Sequence, residues 1–528
     1  MNPSSNPKAY LVGGGIASLS AAVYLIRDAG MKGSDITIFD ESERMGGSLD
    51  AMDLSSSEGY SMRGIRMFEE KAYDCLFDLM SSIPSLAHPG QTLREEFLDF
   101  VRVNKSYSKA RLLKHGQAID GRPLQLSLRD RFAMLRLLVT RESSIEDRDI
   151  QSFFSPSFLS SNFWYEFCTV FAFEPWHSLI EFRRYFLRFI QSFPTIDTLE
   201  SIESSPYNQY ESLVLPVMGW LRNQGVSFVP KTRIVDIGFS EEGEKRTATL
   251  IRLERDGTAG DIALAPEDLL FVTLGSLVAN SSTGSMREAP TIDPERRDAS
   301  WALWERIALG RPEFGVPAVF DSQVDKSIWS SFTVTFRDPL FFELIDRFIH
   351  RDVTAYGGVN MIDSNWLMSI VLSYKPYFIN QPEGVNLCWG YGLYSDKEGN
   401  FVKKRMVDCT GEEILTELVY QLGFGEHLER ILATSVCIPC TMPYVTSLFL
   451  PRKGTDRPAV VPKGATNFAF LGQYVEIPDE VVFTVEHSVR SAQTAVYALR
   501  SVNKRVSPIY KGAHHPGVLL RALKTLLR

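Results

Sequence analysis

Gly13-Gly-Gly15, followed by Ile16-Ala17-Ser18, sets glycines where a chain must turn tightly and bring its backbone close to a phosphate. Gly13 suits the turn and Gly15 the approach to a pyrophosphate. Free amides at the start of a following helix would supply donors and the positive end of a dipole. Asp40, 25 residues after Gly15, is placed to accept hydrogen bonds from ribose hydroxyls, which a ribose 2′-phosphate would oppose. Ser18 stands where a third glycine is common and is small enough to keep helix and strand packed. These residues predict a dinucleotide site.

Such a site needs elements to position it. Ala9-Tyr-Leu-Val12 predicts a short buried strand, Leu19–Arg27 a helix, and Ile36-Thr-Ile-Phe39 a second strand ending at Asp40. Glu43-Arg-Met-Gly-Gly-Ser48 then continues in a way that suits extended FAD rather than NAD, adding Glu41, Gly47 and Ser48 to the candidate contacts. Phe271-Val-Thr-Leu-Gly-Ser276 predicts a further strand, with Thr273 and Gly275 at its end. Ala469-Phe-Leu-Gly472-Gln473 predicts a late strand, followed by a helix over Val481–Leu499 whose dipole faces the flavin ring. The flavin part is therefore assembled from both ends and the middle of the chain.

Composition bounds the remaining classes. A chain of 528 residues predicts three or four structural units, and 44% hydrophobic with 23% charged residues is a globular balance. Six cysteines in that length exclude a disulfide framework and point to a reducing, cytoplasmic setting. The net charge of -8 gives no basic excess for nucleic acid. Met1–Pro7 lacks a signal pattern, and no apolar run is long enough to span a membrane. Past Glu486 there is no acidic residue, while Arg490, Arg500, Lys504, Arg505, Lys511, Arg521, Lys524 and Arg528 follow. The leucines of 518–528 recur at helical spacing among those cations. Two readings fit: an interfacial helix attracted to anionic lipid, giving peripheral membrane contact, or a terminal helix docked on the protein's own surface.

Several longer stretches carry more specific information. Gly15-Ile-Ala-Ser-Leu, Gly46-Gly-Ser-Leu-Asp50, Arg63-Gly-Ile-Arg66, Ser82-Ile-Pro-Ser-Leu86 and Phe171-Ala-Phe-Glu-Pro-Trp-His-Ser178 resemble the oleate hydratase family, also called myosin-cross-reactive antigens. Pro206-Tyr-Asn-Gln-Tyr210, Thr410-Gly-Glu-Glu-Ile-Leu-Thr-Glu417 and Val475-Glu-Ile-Pro-Asp479 extend the resemblance, which runs from about residue 8 to 512. It implies an FAD-containing hydro-lyase that adds water to a cis double bond of a long-chain unsaturated free fatty acid, without net redox change. It also implies that Arg63, Gly64, Arg66 and Glu476 join the cofactor contacts.

An isolated alkene is a poor electrophile, so its hydration needs a proton donor on one side, positioned water on the other, and an apolar channel with a polar anchor. The resemblance assigns the proton to Tyr185, the substrate carboxylate to Gln209 beside Asn208, and a further substrate contact to Thr446. The family's water-activating glutamate falls on Met67, which cannot accept a proton. If the segment is helical, Glu70 shares a face with Met67 and is the substitute base, whereas Glu69 does not. The aromatic residues from Phe163 to Phe189 fit a lipid-channel wall and a plain core equally. Cys437-Ile-Pro-Cys440 lacks a second ligand pair, so no metal site is expected, and His177 reads as structural.

The expected fold is α/β: a discontinuous Rossmann-like FAD-binding domain (1–100, 220–290 and 455–505) with an inserted α+β substrate domain (101–219 and 291–454). Helices between 150 and 200 form a cap, residues 506–528 a basic tail, and the protein is a monomer or homodimer. A flavin oxidoreductase or isomerase acting on a lipid, or a weakened fatty-acid-binding protein, are the alternatives that Met67 keeps open.

Overall fold

A computed structural model describes residues 6–55, 58–108, 111–293, 298–349 and 357–526. The start Met1–Ser5 and the terminal Arg528 lie outside the described residues.

The short apolar runs form a five-stranded, all-parallel sheet. Its strands are β1 (Ala9–Val12), β2 (Ile36–Phe39), β3 (Ser227–Val229), β4 (Leu269–Thr273) and β5 (Phe468–Leu471), in the order β5-β4-β1-β2-β3. β1 is central and buried on both faces, which is why it reads as an unbroken apolar run rather than an alternating one. Helix α1 (Ile16–Arg27) follows it directly. A three-stranded antiparallel sheet (Thr232–Glu242, Lys245–Arg255, Thr258–Ala263) connects β3 to β4.

A second, eight-stranded sheet is mostly antiparallel and holds a separate apolar cluster on one face. Its central strands are Trp329–Phe336, Asn386–Gly392 and Ser435–Met442. The hairpin Ala51–Ser55/Gly59–Met62 bridges the two sheets: Tyr60 N and Met62 N donate to Thr335 Oγ1 and Thr333 Oγ1, each at 3.0 Å. The segment that follows, Arg63–Glu69, is thereby carried from the parallel sheet to the eight-stranded sheet.

Four further helices matter here: α2 (Leu128–Val139), α3 (Asn162–Phe171), α4 (Leu179–Arg188) and α5 (Val485–Leu499). α5 begins four residues later than its sequence suggests because Thr484 caps it, accepting from His487 N at 3.2 Å. A terminal helix, α6 (Pro516–Leu526), buries Val518, Ala522 and Leu526 against the protein and leaves Leu520, Arg521 and Lys524 outward. Its apolar face is thus used by the chain itself. Among the described residues, no helix is long and apolar enough to cross a membrane.

One face of α4 is pinned by buried ions. Glu181 meets Arg452 at 2.7 Å and Arg457 at 3.0 Å, Arg184 meets Glu476 at 2.6 Å, and Arg188 meets Glu480 at 3.0 Å. Burial alone would raise the Glu181 carboxyl, but the guanidiniums of Arg457, Arg452 and Arg184 outweigh it and hold it down to about 2. Breaking one partner of such a pair strands the others, so Glu181→Gln is expected to cost about 3 kcal/mol or more. That stabilisation is present above the ordinary glutamate value of 4.5 and lost as pH falls towards 2. Thermal melts at neutral and acid pH check it: the gap between wild type and variant should close on acidification, and coincident melts at neutral pH would deny the cluster its role.

Candidate functional site

At the C-terminal edge of the parallel sheet lies a cavity of about 430 Å³. Gly13, with φ +95°, turns the chain off β1, and a Cβ there would press on Thr273 at 3.1 Å. Gly15 is the N-cap of α1 and supplies no side-chain cap, so the first-turn amides keep their donors for a ligand. Ile16 and Ala17 sit in that turn on the cavity wall. Asp40 also lines the cavity, but its two oxygens already accept from Gly14 N and from Ser42 N, so it braces the glycine turn. Each oxygen keeps a second lone pair for a hydroxyl.

Most of the expected contacts share this wall. Glu41, Gly47, Ser48, Arg63, Arg66, Thr273, Gly275 and Gly472 line it with the glycine turn. Three do not. Ser18 is buried behind it, its Oγ 3.2 Å from Thr273 Oγ1. Gly64 stands beside Arg66, whose guanidinium a Cβ there would displace. Glu476 is turned into the ion cluster with Arg184 and Arg452.

A smaller cavity of about 110 Å³ adjoins the first, and Arg66, Phe483, Thr484 and Val485 line both. This shared wall is the N-terminal end of α5. Phe483 holds a left-handed φ of 65°, an uncommon conformation for a bulky residue. The second cavity is walled by Phe171, Ala172, Tyr185 and Phe189 of the cap, and by Trp329, Val371, Trp389 and Tyr391 of the eight-stranded sheet. Helical faces divide the aromatic residues: Phe163, Phe167, Phe182 and Phe186 stack in the core, while Phe171, Tyr185 and Phe189 face the cavity.

Few polar groups reach this apolar space. Tyr185 is buried, donates to Val482 O at 2.5 Å, and holds its proton tightly. Burial raises its phenol well above the ordinary value, Tyr73 and Glu181 add to that, and the Arg66 charge opposes it. Met67 lines the cavity, and so does Glu69. Glu70 is exposed, 3.8 Å from Arg94. The physical reason is conformational: Arg63–Glu69 is not helical, with Phe68 bridged to Glu203, so the helical relation between 67 and 70 does not hold, and residues 65–69 line the cavity together while Glu70 turns to solvent. Burial pushes the Glu69 carboxyl up to about 7, although Oε1 accepts from Gln191 Nε2 at 2.8 Å. No local pattern over 65–69 singles out Glu69 in the sequence.

The residues expected at the substrate carboxylate are occupied elsewhere. Gln209 Nε2 donates to Ser205 Oγ at 3.0 Å and Tyr377 OH at 3.3 Å, and its Oε1 accepts from Arg66 N at 3.1 Å. Asn208 bonds Glu211 and Tyr377 O, and Thr446 Oγ1 donates to Ser327 O at 3.0 Å. None of the three lines either cavity. Arg66 is the available cation instead: it is partly buried, lies over the Phe483 ring at 5.1 Å, and has no carboxylate partner among the described residues. Burial lowers it to about 10, so it stays charged at neutral pH. Cys437 and Cys440 are buried free thiols. His177 is buried, accepts from Glu174 N at 3.0 Å, and is pushed down by burial to about 3. Among the described residues no cluster of metal-ligating side chains occurs.

The model of the MCRA family matches residues 6–497. An oleate hydratase from Streptococcus pyogenes serotype M49 (strain NZ131) is 38% identical over 97% of this chain and 88% of its own length. A linoleate hydratase from Lactiplantibacillus plantarum is 31% identical over 98% of both chains. Among solved structures, a putrescine oxidase bound to putrescine superposes with a TM-score of 0.53 at 11% identity, covering 94% of this chain and all of that one. That likeness speaks for the fold.

An unpaired, partly buried cation is held at a cost in stability. Arg66→Met is therefore expected to raise the unfolding temperature of ligand-free protein, by a margin worth about 1 kcal/mol or more, while weakening anionic ligands. Differential scanning calorimetry of the ligand-free variant decides it; a lower melting temperature would mean that the guanidinium is internally compensated.

Proposed function

The chain belongs to the MCRA family, and from that premise we infer that it is a fatty acid hydratase. It adds water across a cis double bond of a long-chain unsaturated free fatty acid, giving a hydroxy fatty acid. The observation that carries this reading is that Glu69, the one carboxylate of the second cavity, and the phenol of Tyr185 line a largely apolar space that shares a wall with a glycine-lined one.

FAD fits the first cavity on three counts: the glycine turn that a side chain would fill, the uncapped start of α1, and the unpartnered Arg66. Gly13, Gly15, Ile16 and Ala17 would hold the pyrophosphate, Asp40 and Glu41 the ribose, and Arg66, Thr484 and Val485 the end nearest the second cavity. When bound there, the flavin would supply a polar, charge-stabilising surface, while adding water moves no electrons overall. The residue stretches 1–100, 220–290 and 455–505 form the flavin part and 101–219 with 291–454 the substrate part. The two-residue strand Ser282–Thr283 departs from that division, joining the eight-stranded sheet.

The alkene lies in the second cavity between Tyr185 and Glu69. As the phenol O–H bond breaks, a C–H bond forms at one alkene carbon, and the nearby Arg66 charge stabilises the phenolate. Water attacks the other carbon, forming the C–O bond as its proton passes to the Glu69 carboxylate. That proton then returns to the phenolate; Tyr73, on the same cavity, interacts electrostatically with both groups. Glu69 thus does the work that Met67 cannot, and Glu70, in solvent, takes no part. At about 110 Å³ the cavity holds only the reacting segment of a long acyl chain.

Product mass spectrometry after incubation with FAD and oleic or linoleic acid in oxygen-18 water, without oxygen, tests the reaction. Label in a hydroxy acid is expected; label-free oxidised product with flavin bleaching would replace the reading by a flavin oxidoreductase. Glu69→Gln and Tyr185→Phe should each lower turnover by about a hundredfold or more with flavin still bound. Because Glu69 serves as a base, the wild-type rate should rise through pH about 7 as its carboxyl ionises, and Glu69→Gln should lack that limb. An unchanged pH profile in this variant would remove Glu69 from the water side.

A further inference from the structure

The sheet side of the second cavity carries two donors without acceptors. Trp329 and Trp389 are 2% and 4% exposed, and both rings line that cavity. Strand register puts them there: Trp389 lies opposite Val371 in the neighbouring strand, and both face the cavity with Tyr391, two residues on. Trp329 stacks on the Tyr391 ring with centroids 4.9 Å apart and lies 6.2 Å from the Trp389 ring. The indole N–H of each is buried and finds no acceptor among the described residues. Other indoles of the chain behave differently. Trp176, Trp301, Trp304 and Trp366 each donate to a backbone carbonyl, at 2.7 to 3.2 Å.

A buried donor left unmatched costs stability, and phenylalanine would line an apolar cavity without that cost. Hydroxyls around the two indoles are engaged elsewhere. Tyr185 donates to Val482 O and Tyr391 to Thr169 O, while Thr169 Oγ1 donates to Tyr165 O at 2.6 Å and Thr484 Oγ1 to Val481 O at 3.0 Å. An acceptor that matches the indoles must therefore enter the cavity. The acyl chain around its double bond offers none. The water that adds to it does, because its oxygen carries two lone pairs, whereas a carboxylate such as Glu69 can engage only its hydrogens.

We propose that Trp329 and Trp389 form the binding site of the attacking water, holding it by its oxygen while Glu69 holds it by a hydrogen. A water in a largely apolar space needs about two to four polar partners, and these three side chains line one cavity of about 110 Å³. Before attack the two N–H groups donate to both lone pairs. As the C–O bond forms, one lone pair passes to the alkene carbon and one proton to Glu69. The other lone pair keeps its indole, which then holds the product hydroxyl. The indoles come from the eight-stranded sheet and Tyr185 from α4, so an acyl chain between those layers meets water and proton donor from different sides. The face of the alkene that receives oxygen is thereby fixed. The water's part in the reaction rests on the hydration proposed above; the water site does not.

Trp329→Phe and Trp389→Phe delete the donors singly, and benzothienylalanine at the same positions, with sulfur in place of N–H, deletes them at unchanged ring shape. With FAD-loaded full-length protein and oleic acid, turnover should fall about tenfold for each, with KM within about twofold of wild type. Flavin content and melting temperature should hold. The limb of the pH profile through about 7 should persist, since Glu69 is intact, while the enantiomeric purity of the hydroxy acid should drop. A crystal structure of the FAD-loaded protein without fatty acid should show a water within about 3.2 Å of both indole nitrogens and of a Glu69 oxygen. Trp329→Phe/Trp389→Phe should lose that water. Unchanged turnover with the benzothienyl side chains, a loss carried wholly by KM, or a crystal structure with no water at the indoles would overturn the proposal. Water at the indoles with no labelled hydroxy acid formed would sink the hydration and leave the water site standing.

Discussion

The register of α4 is the constraint on which the rest of the molecule depends. Glu181, Arg184 and Arg188 fall on one face of this helix, and each is locked by buried charge to the stretch between Arg452 and Arg490. A one-residue rotation would bury three charges without partners, which is prohibitive in a low-dielectric interior. The same lock fixes Tyr185 and Phe189 on the adjoining face, towards the second cavity. It also reaches the shared wall: Glu480 pairs with Arg188 and Arg490, and Glu486, in the first turn of α5, accepts from the amides of Cys75 and Leu76. Charge geometry, more than net stabilisation, is what these pairs contribute, because ion pairs of this kind gain little over well-packed apolar groups.

What could be read from the sequence follows how local the physics is. The strand–glycine turn–helix–strand unit ending at Asp40 is set by contacts within one short stretch, and its elements and cavity agree with the residue types. Glu69 could not be separated from Glu70 in that way. The choice depends on whether 63–69 is helical, and that is decided by Phe68 pairing with Glu203 far along the chain. Gln209 and Thr446 failed to reach the cavities for the same kind of reason: their partners Tyr377 and Ser327 are distant in sequence. Glu476 carries a charge suited to a cofactor, yet two arginines from other segments consume it.

Helix α2 shows the converse limit. Apolar residues at 128, 132, 135 and 139 recur at helical spacing, but periodicity reports that two faces differ, not which one is buried. Met134 and Leu137 took the inner side because the capping box at Ser127 and the serines at 155 and 157 turn Asp130 inward. Once that carboxylate is satisfied, the helix is fixed with its second apolar face outward.

The two cavities set a problem that Arg66 resolves. In the proposed reaction, burial raises both Glu69 and Tyr185, and the two consequences have opposite value. For Glu69 a higher proton affinity makes a better base near neutral pH. For Tyr185 it makes a poorer acid. Only a charge that acts more on the phenol than on the carboxylate can separate them. Arg66 opposes the rise at Tyr185, whereas among the groups acting on Glu69 the cation is Arg188, already held by Glu480. Placing one unpartnered guanidinium at the boundary thus lets a single cavity hold a usable base and a usable acid. The same guanidinium keeps a positive site beside the glycine-lined cavity, so the requirement for an anionic cofactor and the requirement for an acid are met by one residue.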